Sequence, residues 1–114
     1  MARKELQLLL VEDCAEVRDL AAFCLRSEGW LVSLAGTLAE ARAYQGESFG
    51  LILTDYELPD GLGTSLVSTF DVPLVLFSAR PPEEVAPGVL GVIKKPFDPL
   101  QLAGQIEKFL VALD

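Results

Sequence analysis

Five short apolar runs constrain this chain more than anything else in it: "LQLLLV" at 6–11, "WLVSL" at 30–34, "LILT" at 51–54, "PLVLF" at 73–77 and "VLGVI" at 89–93. They are nearly continuous rather than alternating. A strand with one wet face alternates and a strand covered on both faces does not, so the runs predict parallel strands inside a layered α/β core. Helical periods lie between them. Val17, Leu20, Ala21, Cys24 and Leu25 recur on one helical face, and Gly29 supplies the stop. "TLAE" at 37–40 has capping-box spacing and opens a second helix. Leu66, Val67 and Phe70 mark a short third. "DPLQ" opens the last, with Asp98 as N-cap, Pro99 at N1 and Gln101 at N3, and an apolar face of Leu102, Ile106, Phe109, Leu110 and Leu113. The segment "ARPPEEVAPG" at 79–88 stands where a fourth helix is due, but it carries three prolines and barely one turn. The order is βα five times over, and right-handed crossovers turn it into a small doubly wound parallel sheet, the third helix short and the fourth short or missing.

The 114 residues fit one domain, 1–114, and a hydrophobic share of 51% is enough to build its core. A net charge of −8 argues against a nucleic-acid partner and against an anionic membrane surface. The longest uncharged stretch, "GWLVSLAGTLA" at 29–39, is too short to span a bilayer, and no cleavage site follows the N-terminal apolar run. Cys14 and Cys24, ten residues apart on one predicted helix, form no disulfide, which fits a reducing cytoplasm. The chain has no histidine. That removes His-based metal sites, His general bases and Ser–His triads, and leaves carboxylates, Lys, Ser/Thr and Cys to do any chemistry.

Ligands of such a sheet bind at the carboxyl ends of its strands. Those ends carry Glu12 and Asp13, then Asp55, Ser78 and Lys95, with nothing ionisable after the second strand. Taken singly, each has a plainer account. Asp13 sits three residues before Glu16 and suits a helix cap; Asp55 suits a turn; Ser78 is an ordinary strand-end hydroxyl, and Lys95 a solvated lysine. Taken together, at four of five strand ends, they outline a site. Three carboxylates on neighbouring strands repel one another unless a hard cation sits among them, and oxygen-only ligands with open positions suit Mg²⁺. One carboxylate can then accept phosphorus as an aspartyl phosphate, with a lysine and a hydroxyl to neutralise and orient its oxygens.

The chain resembles the receiver domains of two-component response regulators over essentially its whole length. "LLLVED" matches the acidic pair after the first strand, and "LILTDYELPDG" the phosphoacceptor strand with its proline four residues on. "VLFSA" matches the strand ending in a switch hydroxyl, and "IKKPF" the Lys-Pro-Phe signature. The resemblance implies a flavodoxin-like sheet of order 2-1-3-4-5 and assigns roles. Asp55 would be phosphorylated; Glu12, Asp13, Asp55 and the backbone carbonyl of Glu57 would hold Mg²⁺. Ser78 and Lys95 would bind the phosphoryl group, and Ala79 would leave it room. The donor would be a histidine kinase, a histidine phosphotransfer protein or a small molecule such as acetyl phosphate, and an unknown downstream protein would read the result. Such a module is no enzyme beyond its own phosphorylation and dephosphorylation.

Three departures from the family pattern stand out. Val92 occupies the position of the switch aromatic. The Asp55–Ser78 and Ser78–Lys95 intervals are each several residues short, so the family's output face around the fourth helix is not carried over. Glu57 and Arg80 flank the site with opposite charges; if they pair over the phosphoryl group they would hinder the attacking water and slow its hydrolysis, an effect of sterics rather than of pair energy. A degenerate receiver serving as a constitutive interaction module is the alternative. An aspartyl-phosphate phosphatase would want a second aspartate where Glu57 stands, and a cap for which 114 residues leave no room. A Rossmann protein would want GxGxxG after the first strand. No output domain is expected within these residues, which leaves a stand-alone receiver or a piece of something longer.

Overall fold

In the computed structural model, which describes residues 7–113, the apolar runs become strands and their two faces part into two layers. The elements are β1 (Gln7–Val11), α1 (Ala15–Ser27), β2 (Leu31–Ala35), α2 (Leu38–Arg42), β3 (Leu51–Thr54), β4 (Glu57–Leu58), β5 (Gly61–Leu62), α3 (Leu66–Thr69), β6 (Leu74–Ser78), β7 (Val89–Lys94) and α4 (Leu102–Val111). A single 3₁₀ turn, Gly63–Ser65, leads into α3. Leu6, the expected start of the first strand, lies outside the described residues. Five strands pair in parallel in the order β2-β1-β3-β6-β7, and β4 and β5 form a separate two-stranded antiparallel hairpin. Counting only the sheet strands, this is the expected order 2-1-3-4-5.

Alternation along each strand decides which layer a side chain joins. Leu8, Leu10, Leu51, Leu53, Val75 and Phe77 pack beneath α1 and α4 with Ala21, Leu25, Leu102 and Ile106. Leu9, Val11, Ile52, Leu74 and Leu76 point to the other face, under Leu38, Ala41, Leu66 and Phe70. Every residue of β3 and β6 is buried, which is why neither run alternates.

α1 ends as its sequence requires. The Gly29 N–H donates to the Arg26 carbonyl and the Trp30 N–H reaches back to Leu25, the paired bonds of a Schellman stop. Gly29 holds φ +98°, open to glycine and costly to other residues. The buried stripe of α1 is centred on Ala21, Ala22 and Leu25; Leu20, expected inside, is 45% exposed. At α2, Thr37 Oγ1 accepts from the Glu40 N–H at 3.1 Å, as the capping box predicts, while Glu40 Oε1 accepts from Gly36 N–H rather than from Thr37.

Two expectations shift. Asp98 Oδ1 accepts the Leu100 N–H at 2.9 Å, the bond expected of a cap, but the Asp98 carbonyl then accepts the Gln101 N–H in a tight i→i+3 turn, and the α-helix begins at Leu102 rather than at Pro99. Residues 79–88 contain no helix. Proline lacks the N–H a helix needs, and this segment has three within seven residues.

A Cβ at Gly29 would meet nothing within 4 Å, so Gly29→Ala isolates the conformational cost of its positive φ. The expected loss is about 1–2 kcal/mol, read as a lower urea midpoint at unchanged m-value.

Candidate phosphoacceptor site

The site lies where β1, β3, β6 and β7 end. Glu12 follows β1 and is 1% exposed, and each of its polar groups has a partner. Its N–H donates to the Ala35 carbonyl and its own carbonyl accepts from Arg18 Nη1, both at 2.9 Å. Glu12 Oε2 accepts from the Cys14 N–H at 3.0 Å, and Oε1 accepts from Lys95 Nζ. Asp13 stays exposed and does not cap α1: Cys14 holds the N-cap position, without a side-chain cap bond. Its plainer reading therefore falls away, and its carboxylate turns to the site.

Asp55 follows β3, its N–H bonded to the Val11 carbonyl at 2.9 Å. Its Oδ2 accepts from Lys95 Nζ at 2.9 Å, and its Oδ1 receives a long bond from the Glu57 N–H at 3.4 Å. One oxygen each from Glu12, Asp13 and Asp55 lie within 4.8 Å of one another. An all-oxygen set with one carboxylate buried and two more accessible is the donor chemistry that Mg²⁺ takes, so these residues fit that ion.

Lys95 enters from just beyond β7, its N–H bonded to the Ser78 carbonyl at 3.0 Å. Ser78 closes β6, 4% exposed, and its Oγ accepts the Arg80 N–H at 3.1 Å. Ser78 thus stands beside Lys95 without a hydrogen bond to the carboxylate cluster. Glu57 and Arg80 are both exposed and form no ion pair with each other in the unphosphorylated site. Val92 is half-buried against the layer that holds Leu74 and Leu76, a packing position rather than a gate.

Two residues that support the site carry no chemical signal in the sequence. Gly63 brings the β4–β5 hairpin back over the phosphoacceptor strand, its N–H donating to the Tyr56 carbonyl at 2.7 Å. A Cβ there would stand 2.0 Å from the Asp55 carbonyl oxygen and 2.7 Å from Thr54 Oγ1, so only glycine fits. Asp60, on the hairpin tip, accepts from the Leu38 and Ala39 N–H groups at 2.8 and 3.1 Å and caps α2 from a distance in sequence. Those two bonds hold its carboxyl below the usual range, the Leu38 bond foremost.

Charge inside the site is finely balanced. Burial raises the Glu12 carboxyl above its ordinary value, and the bonds from Lys95 and Cys14 only partly offset it. Burial also opposes the Lys95 charge, but contacts with Glu12 and Asp55 outweigh it and raise the ammonium's pKa. Attraction alone would push the two partners in opposite directions. Glu12 rises because its carboxylate is almost wholly withdrawn from water, whereas Lys95 keeps 18% exposure and has two anions beside it.

The sheet order, with carboxylates and a lysine gathered at its carboxyl edge, defines a CheY-like receiver fold. A CheY-like response-regulator receiver domain from Methanospirillum hungatei JF-1 superposes with a TM-score of 0.84 at 27% identity, covering 93% of this chain and 94% of that one. Among curated relatives, the phosphate regulon transcriptional regulatory protein PhoB of Escherichia coli K12 is 32% identical over 120 residues, 94% of this chain and 51% of PhoB. The transcriptional regulatory protein CssR of Bacillus subtilis 168 is 31% identical over 115 residues, 90% of this chain and 50% of CssR. The chain spans about half the length of these curated relatives, and no family model matches it. The chain belongs to the response-regulator receiver family. No helix of the described residues is long and apolar enough to cross a membrane.

Two measurements probe the site without its chemistry. A raised Glu12 pKa means that its contribution to stability is fully present below about pH 4 and is lost as pH rises through the folded value. In chelator-treated protein, Glu12→Gln should therefore raise Tm at pH 7, with the gain closing at pH 3.5; a lower Tm at pH 7 contradicts the direction. Gly63→Ala should cost about 1–3 kcal/mol in a denaturant titration, because the hairpin has to move off Asp55.

Proposed function

We propose that this domain is the phosphoryl-accepting module of a two-component phosphorelay, with Asp55 as acceptor and Glu12, Asp13, Asp55 and the Glu57 backbone carbonyl as the Mg²⁺ site. The observation that carries the reading is the Lys95 ammonium held against Asp55 Oδ2 at 2.9 Å, beside an acidic cluster with room for a cation. Bound Mg²⁺ would neutralise charge on the phosphoryl oxygens and relieve the repulsion among the three carboxylates.

The chain's own groups do the rest. An Asp55 oxygen forms the new bond to phosphorus while the phosphorus–nitrogen bond of a phosphohistidine, or the phosphorus–oxygen bond of acetyl phosphate, breaks and the leaving group keeps the electron pair. Lys95 transfers its contact from the Asp55 carboxylate to a phosphoryl oxygen, and being cationic it stabilises the charge there. Ser78 offers its hydroxyl to a second oxygen, turning away from the Arg80 N–H that it now serves as acceptor. Glu12, its backbone pinned at both N–H and carbonyl, keeps the acidic pair in place. The donor is a histidine kinase or histidine phosphotransfer protein, the reader a downstream protein, and the setting the cytoplasm. The domain acts catalytically only on its own Asp55.

A degenerate receiver acting as a constitutive interaction module has Val92 and the missing fourth helix on its side. One experiment separates the two. Intact-protein mass after incubation with acetyl phosphate and Mg²⁺ should show a single phosphoryl adduct that is absent with chelator and absent in Asp55→Asn. Lys95→Ala should slow adduct formation by about 10²-fold. No adduct from acetyl phosphate or from a phosphohistidine donor would establish the degenerate module instead.

A further inference from the structure

Lys95 has a third partner that is not a carboxylate. Its Nζ lies over the ring of Phe77, 4.9 Å from the centroid. An ammonium within about 6 Å of an aromatic face is attracted by the ring's negative quadrupole, more strongly where water is excluded. Phe77 is fully buried in β6, one residue before Ser78. Its own tilt is set by Phe97, whose ring meets it edge-on at 5.1 Å and 63°. Phe97 lies two residues beyond Lys95 in the same loop, so the aromatic pair and the lysine form one packed unit.

From this placement we infer that Phe77 is a positioning residue: the face of its ring holds the Lys95 ammonium between Glu12 and Asp55, in place to receive the phosphoryl group. The inference rests on the phosphoacceptor reading above and extends it to a residue outside the acidic cluster. A lysine stem has several free rotamers, and hydrogen bonds to two carboxylates fix the distance of its ammonium but leave sideways travel. The ring supplies a third direction of restraint. When Lys95 moves its contact from Asp55 to a phosphoryl oxygen, the ring attraction persists, because it does not depend on which anion the ammonium faces.

The test replaces Phe77 with mono-, di- and trifluoro-phenylalanine, which drain the negative face of the ring while nearly keeping its volume, and with leucine. Two readouts are taken. The first is the acetyl phosphate phosphorylation rate in Mg²⁺. Its logarithm should fall stepwise with fluorine content, the trifluoro ring and Phe77→Leu losing about threefold to tenfold. The second is the proton shift of the Lys95 ε-methylene, assigned by its loss in Lys95→Arg. It should be displaced upfield by the ring current in the parent and in the fluorinated series, and return to the ordinary lysine position in Phe77→Leu. A rate indifferent to fluorine, with the methylene still upfield, overturns the positioning role. A methylene at the ordinary position in the parent overturns the contact itself. A parent protein that accepts no phosphoryl group overturns the functional reading, and the methylene then decides by itself whether the ring holds the lysine.

Discussion

The Lys95 ammonium is the constraint around which the functional edge of the sheet is organised. Two strand ends, those of β1 and β3, deliver Glu12, Asp13 and Asp55 into a space where one oxygen of each lies within 4.8 Å of the others. Carboxylates so close repel, and Glu12 is additionally almost wholly removed from water. Lys95 touches Glu12 and Asp55 at once and is the only cation in salt-bridge contact with either among the described residues. Losing Lys95 would leave both carboxylates without a cation, which costs far more than the pairing gains, whereas losing the Glu12 charge leaves Lys95 paired with Asp55. The β7 end, which carries Lys95, is thereby tied across the sheet to the ends of β1 and β3. A stable resting site and a poised one are here the same arrangement.

The sheet around that edge is economical on one side. α3 is four residues long and residues 79–88 form no helix, so Leu66, Val67 and Phe70, with Val89 and Val92, cover the layer that begins at Leu74 and Leu76. The β4–β5 hairpin takes over part of the work of a longer connection. It leans on Asp55 through Gly63 and reaches α2 through Asp60, so the segment following the phosphoacceptor is bonded to a helix on the β2 side of the sheet. Movement at Asp55 therefore has a short covalent and hydrogen-bonded route to α2. On the β7 side the corresponding route lacks both an aromatic at Val92 and a helix.

How much of this could be read from residues alone differs by kind of interaction. The strand runs, the two helix-capping signals at Thr37 and Gly29, and the proline-broken segment were legible because each depends on neighbours within one turn or one strand. The acidic pair, Asp55, Ser78 and Lys95 were legible because strands of a parallel sheet all end at the same edge, so that position in sequence translates into position in the site. Asp98 shows the limit of the method. Its side chain makes the bond of a cap to Leu100, yet the turn that follows is tight and the α-helix begins only at Leu102.

By itself, then, the sequence determined the order of the elements and the set of groups at the carboxyl edge. Those follow from hydrophobic period and from local backbone chemistry, which act over a few residues. Only the tertiary structure decided that the Asp13 carboxylate joins Asp55 rather than capping α1, that Gly63 must lack a Cβ because Asp55 lies under it, that Asp60 caps a helix twenty-two residues before it, and that Lys95 rests on the face of Phe77. Each of these depends on a contact between segments distant along the chain, and the distance and direction of such a contact are set by how the whole sheet packs.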